Sequence, residues 1–132
     1  MAWDFLTVIS GSNPRVAVDL PAVPTEEPAP TTRDRWRMLW LLAGAAGDVL
    51  ELGCGGGLLL RDALAVGASA TGIDHSEEMV ELAQQRAPGA RVVLGRAESL
   101  PFADDEFAAV AMSAVFFFLD DPEGVLRECR RV

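Results

Sequence analysis

The sequence predicts an α/β protein with a doubly wound parallel sheet, and three observations support that fold class. An apolar run at Val49–Leu52 breaks into a glycine-rich loop, and leucines and alanines resume at once from Leu58 to Leu64. A second run, from Ala68 to Ile73, ends at the acid Asp74. Strand-like and helix-like patterns then continue to alternate. A strand, a tight turn and a helix are the first unit of a Rossmann-like, nucleotide-binding fold.

Composition limits the class of protein. The chain has 132 residues, half of them hydrophobic, which suits one small domain with its own core. The net charge of −9 argues against a nucleic-acid partner, because phosphate binding needs clustered lysine and arginine. One histidine and scattered acids give no metal-ligand spacing. The longest apolar run, Phe107–Leu119, is too short to span a membrane.

The two cysteines, Cys54 and Cys129, do not make a disulfide framework. They predict a reducing, cytoplasmic setting. Cys54 is expected to be a small residue packed in the glycine loop rather than a reactive thiol.

Two parts are predicted along the chain. Residues 1–30 are predicted to be a Pro-rich arm or leader. Met1–Ile9 is expected to be either a short helix or an arm packed on the domain, and the five prolines between Pro14 and Pro30 exclude a regular helix there. Residues 31–132 are the predicted domain. It begins with a helix from Thr31 or Thr32 that is expected to pack its tryptophans against the sheet.

The predicted domain has four strands. In chain order they are Val49–Leu52, Ala68–Ile73, Arg91–Leu94 and Phe107–Met112. Ser76 is expected to cap the helix after the second strand, and Pro88 stops that helix. Asp120 or Asp121 is expected to cap the last helix, with Pro122 at its first position.

The glycine loop indicates which nucleotide it suits. A P-loop needs a lysine followed by a hydroxyl residue, and this loop has neither. A dinucleotide fingerprint, Gly-x-Gly-x-x-Gly, needs a glycine where Leu58 stands. Glu51 places a negative charge beside the ligand, which disfavours a pyrophosphate and favours an ammonium or sulfonium. The loop therefore predicts a cationic nucleoside, although a glycine loop alone is also compatible with a turn that binds nothing.

Asp74 is the second candidate contact. It follows the second strand, about twenty residues past the glycines, where an acid accepts hydrogen bonds from both ribose hydroxyls. The alternative, a plain helix cap, is weaker because Ser76 already supplies the cap. His75 is expected at the adenine edge, and a role as catalytic base is its less favoured alternative.

Four segments of the chain, in order, resemble motifs of class I S-adenosylmethionine (SAM)-dependent methyltransferases of the type-11-like, small-molecule group. They are Glu51–Gly57 (Glu-Leu-Gly-Cys-Gly-Gly-Gly), Gly72–Ser76 (Gly-Ile-Asp-His-Ser), Ala97–Phe102 (Ala-Glu-Ser-Leu-Pro-Phe) and Glu123–Val132. The resemblance covers roughly the last two thirds of the chain.

The resemblance implies SAM as the cofactor and methyl transfer to a small-molecule acceptor as the activity. The sulfonium already activates the methyl group, so the protein mainly supplies alignment and no residue is assigned as catalytic. The loop would pass beside the methionine and ribose, with Glu51 facing the ammonium, Asp74 the ribose and Ala97–Glu98 the adenine. The candidate cofactor-binding residues are Glu51, Gly53, Cys54, Gly55, Gly57, Asp74, His75, Ala97, Glu98 and Ser113.

Further residues are expected near the implied site. At the position of Arg96 the family usually has an acid that accepts a hydrogen bond from the adenine amino group. Here that contact is expected to come from Glu98 or from the backbone of Ala97. Pro101 and Phe102 are expected to wall the pocket. Ser113 begins the segment after the fourth strand, where open α/β sheets bind ligands. The phenylalanines that follow it, Phe116, Phe117 and Phe118, are expected either to face an apolar acceptor or to join the core.

The resembled family has three further strands, so we expect an incomplete Rossmann-like sheet with its four strands in the order 3-2-1-4. The fourth strand would then be an open, apolar edge. Either the chain is a truncated product, or a partner such as a second copy in a homodimer covers the edge. A non-catalytic SAM-binding or assembly module is the alternative to an enzyme. A nicotinamide dehydrogenase half-domain is disfavoured by Leu58 and Glu51.

Overall fold

The computed structural model describes residues 6–10, 47–65, 67–113, 115 and 118–132. The strands in these ranges are β1 (Leu6–Ser10), β2 (Val49–Leu52), β3 (Ala70–Asp74), β4 (Arg91–Leu94) and β5 (Ala109–Ser113). The helices are α1 (Leu58–Ala65), α2 (Glu77–Arg86) and α3 (Pro122–Arg131). The helix predicted from Thr31 or Thr32 and the boundary predicted after residue 30 lie outside the described residues.

The strands β2 to β5 form the parallel part of one sheet, in the order β4-β3-β2-β5. Val49 of β2 pairs with Ala70 on one side and with Ala109 on the other. Thr71 of β3 pairs with Arg91 of β4. The four predicted strands correspond to β2, β3, β4 and β5, so this order is the predicted order 3-2-1-4. The predicted α/β fold class is confirmed.

The fourth predicted strand begins at Ala109 rather than at Phe107. The Phe107 N–H donates to the carbonyl of Val132 at 2.7 Å, and the Ala108 N–H donates to the carbonyl of Asp48 at 2.8 Å. These bonds tie both residues to the chain end and to the start of β2. They therefore precede the ladder instead of belonging to it.

The edge of the sheet at β5 is not open, which corrects one prediction. β1 runs antiparallel beside β5, with Leu6 opposite Ser113 and Ser10 opposite Ala109. Its sequence, Leu-Thr-Val-Ile-Ser, is rich in the β-branched residues that favour strands. Five residues of the predicted N-terminal arm thus cover the edge at β5, and the prediction of a homodimer depended on that edge being open. The homodimer remains a prediction, but an open edge at β5 no longer supports it.

Helices cover both faces of the sheet. The cluster on the face of α1 and α2 includes Val49, Leu60, Ala63, Ala70 and Ala83. The cluster on the face of α3 includes Leu50, Leu52, Val110, Val125 and Cys129. Alternate residues of β2 therefore enter opposite clusters, which explains why this strand is buried throughout. Each fully buried aliphatic side chain contributes about 1.5–3 kcal/mol.

The helix starts follow the predicted capping. The Ser76 hydroxyl accepts the N–H of Met79 at 3.4 Å and so caps α2. Asp121 accepts the N–H of Gly124 at 2.9 Å and caps α3, with Pro122 in the first turn. Of the helices within the described ranges, none has the length and apolar character needed to cross a membrane.

Candidate functional site

A cavity of about 200 Å³ opens at the carboxyl ends of the parallel strands. This is the edge at which open α/β sheets bind ligands. Its wall has three parts: the turns after β2 and β3 together form the first, the segment after β4 forms the second, and residues 115 and 118–120 before α3 form the third. The wall residues are Gly53, Ile73, Asp74, His75, Gly95, Arg96, Ala97, Glu98, Val115, Phe118, Leu119 and Asp120.

The glycine loop between β2 and α1 needs glycine for two separate reasons. Gly53 has a φ of +65°, and a Cβ there would overlap the Val115 side chain on the opposite wall of the cavity. Gly57 has a φ of +78°, and a Cβ there would lie 2.8 Å from the Cα of Ala83 in α2. Residues other than glycine rarely adopt such a φ. The loop thus exposes backbone without a side chain to the cavity at Gly53, and it allows α2 to pack closely against Gly57.

The Asp74 carboxylate joins this loop to the end of β3. Its Oδ2 accepts the N–H of Gly55 at 2.9 Å, and its Oδ1 accepts the N–H of Ser76 at 3.0 Å. The residue is buried, yet it lines the cavity. Each carboxylate oxygen can accept more than one hydrogen bond, so both retain capacity toward a ligand.

His75 stands at the rim of the cavity. Its side chain is 79% exposed, and its Nδ1 lies 3.6 Å from Oδ1 of Asp74. This distance is too long for a hydrogen bond, so the imidazole is not fixed by the carboxylate. A loosely held ring is poorly placed to serve as a base.

Glu51 is the most unusual acid of the site. It is only 3% exposed, and its Oε2 has no hydrogen-bond partner. Burial, with a smaller contribution from the charge of Asp74, raises the pKa of Glu51 to about 8. At neutral pH the carboxyl is therefore mostly uncharged, in contrast to the negative charge that the sequence suggests. It lies directly before the glycine loop and is not part of the cavity wall.

Cys54 is buried behind the wall. Its Sγ lies 3.7 Å from the carbonyl oxygen of Gly55. Burial first, and then the charges of Glu51 and Asp74, raise the pKa of the Cys54 thiol to about 12. A thiol with so high a pKa is inert at neutral pH, which agrees with a packed small residue rather than a nucleophile.

The segment after β4 forms the second wall. The Gly95 N–H donates to the carbonyl of Asp74 at 2.9 Å, which fixes the start of the segment beside β3. Arg96 and Glu98 form an ion pair at 3.4 Å. Arg96, which departs from the family pattern, is therefore paired with the acid that is expected to contact the adenine in its place. Both residues and Ala97 between them line the cavity.

One expectation about this segment is wrong. Phe102 does not wall the cavity, because its ring packs edge-on against Phe107 in the core, with ring centroids 5.0 Å apart. Pro101 is exposed and is also absent from the wall.

The third wall was only partly anticipated from the sequence. Phe118 is 84% exposed and lines the cavity, so it does not belong to the core. Phe116 and Phe117 lie outside the described residues. Val115, Leu119 and Asp120 also line the cavity and were missed, although their position after a carboxyl strand end is a signal that could have found them.

Of the ten predicted cofactor-binding residues, the cavity wall brings together Gly53, Asp74, His75, Ala97 and Glu98. Four more belong to β2 or to the glycine loop but are not part of that wall: Glu51, Cys54, Gly55 and Gly57. Ser113 ends β5, and its side chain is outside the described part of the chain. Within the described residues, no three side chains of His, Cys, Asp or Glu lie together as metal ligands would.

Known proteins share both the sequence pattern and the fold. A model of the family described as methyltransferase domain matches residues 50–132. A demethylmenaquinone methyltransferase of Thermotoga maritima is 42% identical over 62 residues, which are 47% of this chain and 27% of that protein. A ubiquinone biosynthesis O-methyltransferase of Pseudomonas aeruginosa is 34% identical over 104 residues, which are 73% of this chain and 45% of that protein.

A solved structure from Thermotoga maritima, described as a SAM-dependent methyltransferase and possible histamine N-methyltransferase, is 34% identical with a TM-score of 0.54. The match covers 73% of this chain and 47% of that one. The chain thus spans less than half the length of these three proteins. The matched family region carries the glycine loop, Asp74 and every residue of the cavity wall. The chain therefore belongs to the SAM-dependent methyltransferase family, and S-adenosylmethionine is the cofactor of that family.

Proposed function

We propose that this chain binds SAM in the cavity at the carboxyl ends of its strands and takes part in methyl transfer to a small, apolar acceptor. The observation that carries the proposal is the Asp74 carboxylate. It is held by the Gly55 and Ser76 amides and faces the cavity beside Gly53. A buried acid fixed in this way is suited to accept two ribose hydroxyls without moving.

The residues around Asp74 fit the rest of the cofactor. The bare backbone at Gly53 permits close approach of the methionine portion. Ala97 and Glu98 border the space for the adenine. Glu51 has a buried oxygen without a partner, and an ammonium group that reached it would satisfy that oxygen.

When bound, SAM supplies a methyl group that its positively charged sulfur has already activated. The chain then has to hold the donor, align an acceptor with it and keep water out. His75 lies on the wall, but its exposure and its distance from Asp74 argue against a fixed proton acceptor. We therefore assign no catalytic base.

The character of the third wall supports an apolar acceptor. Val115, Phe118 and Leu119 contribute apolar side chains to the lining of the cavity. A large hydrophobic side chain that is 84% exposed, as Phe118 is, gains from contact with an apolar ligand. Two of the three relatives named above are, by their names, a demethylmenaquinone methyltransferase and a ubiquinone biosynthesis O-methyltransferase, which is consistent with an acceptor of this kind. The third is described as a possible histamine N-methyltransferase and gives no such support.

The first experiment is titration calorimetry with S-adenosylhomocysteine on wild type, Asp74→Asn and Asp74→Ala. We expect binding by wild type, and a loss of at least about tenfold in affinity in both variants, because charged hydrogen bonds are removed. Glu81→Ala is the matched control, since it removes an exposed acid of α2 away from the cavity. Wild-type protein that is folded and does not bind would refute the proposal.

Turnover is a separate question from binding. Wild type and Asp74→Ala should be incubated with methyl-labelled SAM and a panel of small quinols and phenols. Label transferred by wild type and not by the variant would support an enzyme. Binding without any transfer would restrict the function to that of a SAM-binding module.

A further inference from the structure

Two of the three walls of the cavity are far apart in the sequence. One wall is the segment 95–98 after β4, and the other contains Val115, Phe118, Leu119 and Asp120. The latter, the third wall described above, continues directly into α3 through the cap at Asp121. A connection between α3 and the chain just after segment 95–98 would link these two walls in addition to the sheet.

Such a connection exists at the far end of α3. The Glu128 Oε2 accepts the N–H of Leu100 at 2.8 Å. The Arg131 guanidinium donates to the carbonyl of Leu100 at 3.0 Å and to the carbonyl of Phe102 at 2.9 Å. Two side chains on one helix turn thus satisfy three backbone groups of a single short segment.

Glu128 and Arg131 also bind each other. The Nε and Nη2 atoms of Arg131 lie 2.8 and 2.9 Å from the two carboxylate oxygens of Glu128, which is a bidentate pair. The bond from Arg131, assisted by the Leu100 N–H and opposed by burial, lowers the pKa of Glu128 to about 2. Side-chain exposures of 22% and 32% show that both groups are partly withdrawn from water. The pair is therefore a rigid unit and not a loose surface contact.

Hydrophobic burial alone does not fix the backbone orientation of residues 100–102. Leu100 and Phe102 are both buried in the cluster beneath α3. A buried apolar side chain tolerates small displacements, whereas backbone hydrogen bonds to a bidentate pair fix the direction of each peptide group. Only two residues separate Leu100 from Ala97, so the direction of these peptides is passed on to the cavity wall.

We propose that the Glu128–Arg131 pair is a positioning unit of the cofactor site, which holds the backbone of residues 100–102 and thereby sets the place of Ala97 and Glu98 on the wall. The pair does not touch the cavity itself. The proposal rests on the proposed function, because the property that the pair controls is the binding of the adenosyl group.

The test compares Arg131→Ala, Arg131→Lys and Glu128→Gln with wild type. Arg130→Ala is the matched control, because it removes the same charge from an exposed position of the same helix. Each protein is titrated with S-adenosylhomocysteine and with S-inosylhomocysteine, well below its melting temperature. The second probe differs only at the base edge that segment 95–98 is expected to border.

We expect Arg131→Ala to weaken S-adenosylhomocysteine binding by about tenfold or more and to reduce the preference over the inosine probe. Compared with Arg131→Ala, Arg131→Lys should recover part of the affinity and part of the preference. Arg130→Ala should match wild type in both properties. If folded Arg131→Ala and Glu128→Gln keep the wild-type affinity and preference, the proposal is overturned.

A charge exchange, Glu128→Arg with Arg131→Glu, separates positioning from simple stabilisation. It restores an ion pair on the helix, but it does not return an acceptor to the Leu100 N–H or a donor to the carbonyls. We expect its melting temperature to recover relative to Arg131→Ala while its affinity does not. Recovery of wild-type affinity would overturn the proposal.

Hydrogen exchange of the peptide covering residues 96–103 gives a readout that does not depend on any ligand. Faster exchange in Arg131→Lys and Glu128→Gln, but not in Arg130→Ala, supports the positioning role. Unchanged exchange overturns it. If wild type fails to bind S-adenosylhomocysteine, the proposed function fails, and this measurement still decides whether the pair holds the segment.

Discussion

The amide of Gly55 lies 2.9 Å from Oδ2 of Asp74 and donates its hydrogen to it. The loop after β2 and the acid at the end of β3 are therefore one structural unit before any ligand is present. The same loop is held from behind, since Nη1 of Arg86 in α2 donates to the carbonyl of Gly56 at 2.8 Å. A site whose polar groups are already oriented loses less conformational freedom when a ligand binds.

Substitution of the loop glycines should separate backbone conformation from packing. Gly55 and Gly57 both have positive φ, but a Cβ at Gly55 meets nothing within 4 Å, whereas a Cβ at Gly57 would lie 2.8 Å from Ala83. We expect Gly55→Ala to destabilise the fold by about 1–2 kcal/mol through backbone strain alone. Gly57→Ala adds overpacking against α2 and should lose about 2–4 kcal/mol.

Urea unfolding of the two variants at one temperature measures this difference. Gly67→Ala is the control, because its φ is +79° and a Cβ there also meets open space. It should resemble Gly55→Ala. Equal losses at Gly55 and Gly57 would show that α2 yields to the added methyl group.

The sequence predicts the parts of this structure that are decided by neighbouring residues. The run Val49–Leu52 before a glycine loop can only be a buried strand and a turn in an α/β fold. Ser76 caps α2 through an amide only three residues away. Asp74 lies at the cavity because the end of a parallel strand always lies at that edge.

Contacts between distant residues could not be predicted in the same way. The pairing of Leu6 with Ser113 joins opposite ends of the chain, and no local pattern specifies it. Arg131 and Leu100 are 31 positions apart, yet their contact orders a wall of the cavity. The raised pKa of Glu51 likewise comes from burial by other elements and not from its own segment.

The two thiols should be unreactive in the folded protein. Burial is the main cause that raises the pKa values of Cys54 and Cys129, each to about 12. Thiol reagents need the thiolate, so neither residue should react with Ellman's reagent at pH 8 on the timescale of minutes. In denaturant both of the cysteines should react at once. Rapid labelling of one thiol in the native protein would show that its element opens easily.

Removal of the exposed phenylalanine should affect the acceptor and little else. Phe118 is 84% exposed, so Phe118→Ala should change the free energy of unfolding by no more than about 0.5 kcal/mol. We expect S-adenosylhomocysteine affinity within about twofold of wild type and a KM for an apolar acceptor raised about tenfold.

The control for Phe118 is Leu94→Ala, which removes another exposed apolar side chain at a position outside the cavity wall. It should leave the KM unchanged. An equal effect of both substitutions on the acceptor would mean that apolar surface in general, and not the cavity, sets the KM.

The pH dependence of stability should reveal the buried acid. The pKa of Glu51 is about 8 in the folded protein, against 4.5 as its ordinary value. Between these pH values the folded state holds a proton that the unfolded state has released, so the free energy of unfolding falls as pH rises from about 4.5 to 8. Glu51→Gln stays neutral and should lack this decline. The two proteins should be closest in stability below about pH 4.5, and the variant should be the more stable at pH 8.5.

Urea unfolding of both proteins at several pH values measures the Glu51 effect as a difference. The neighbouring titratable groups, Asp74 and Cys54, are present in both proteins, so their direct contributions largely cancel. Glu81→Gln serves as the control, because it neutralises an exposed acid of α2 and should leave the pH profile parallel to that of wild type. A Glu51→Gln profile that is also parallel to wild type would mean that Glu51 ionises in the folded protein as it does in the unfolded chain. In that case a water molecule or a neighbouring donor must already satisfy its Oε2, and the argument that this oxygen awaits a cation would be lost.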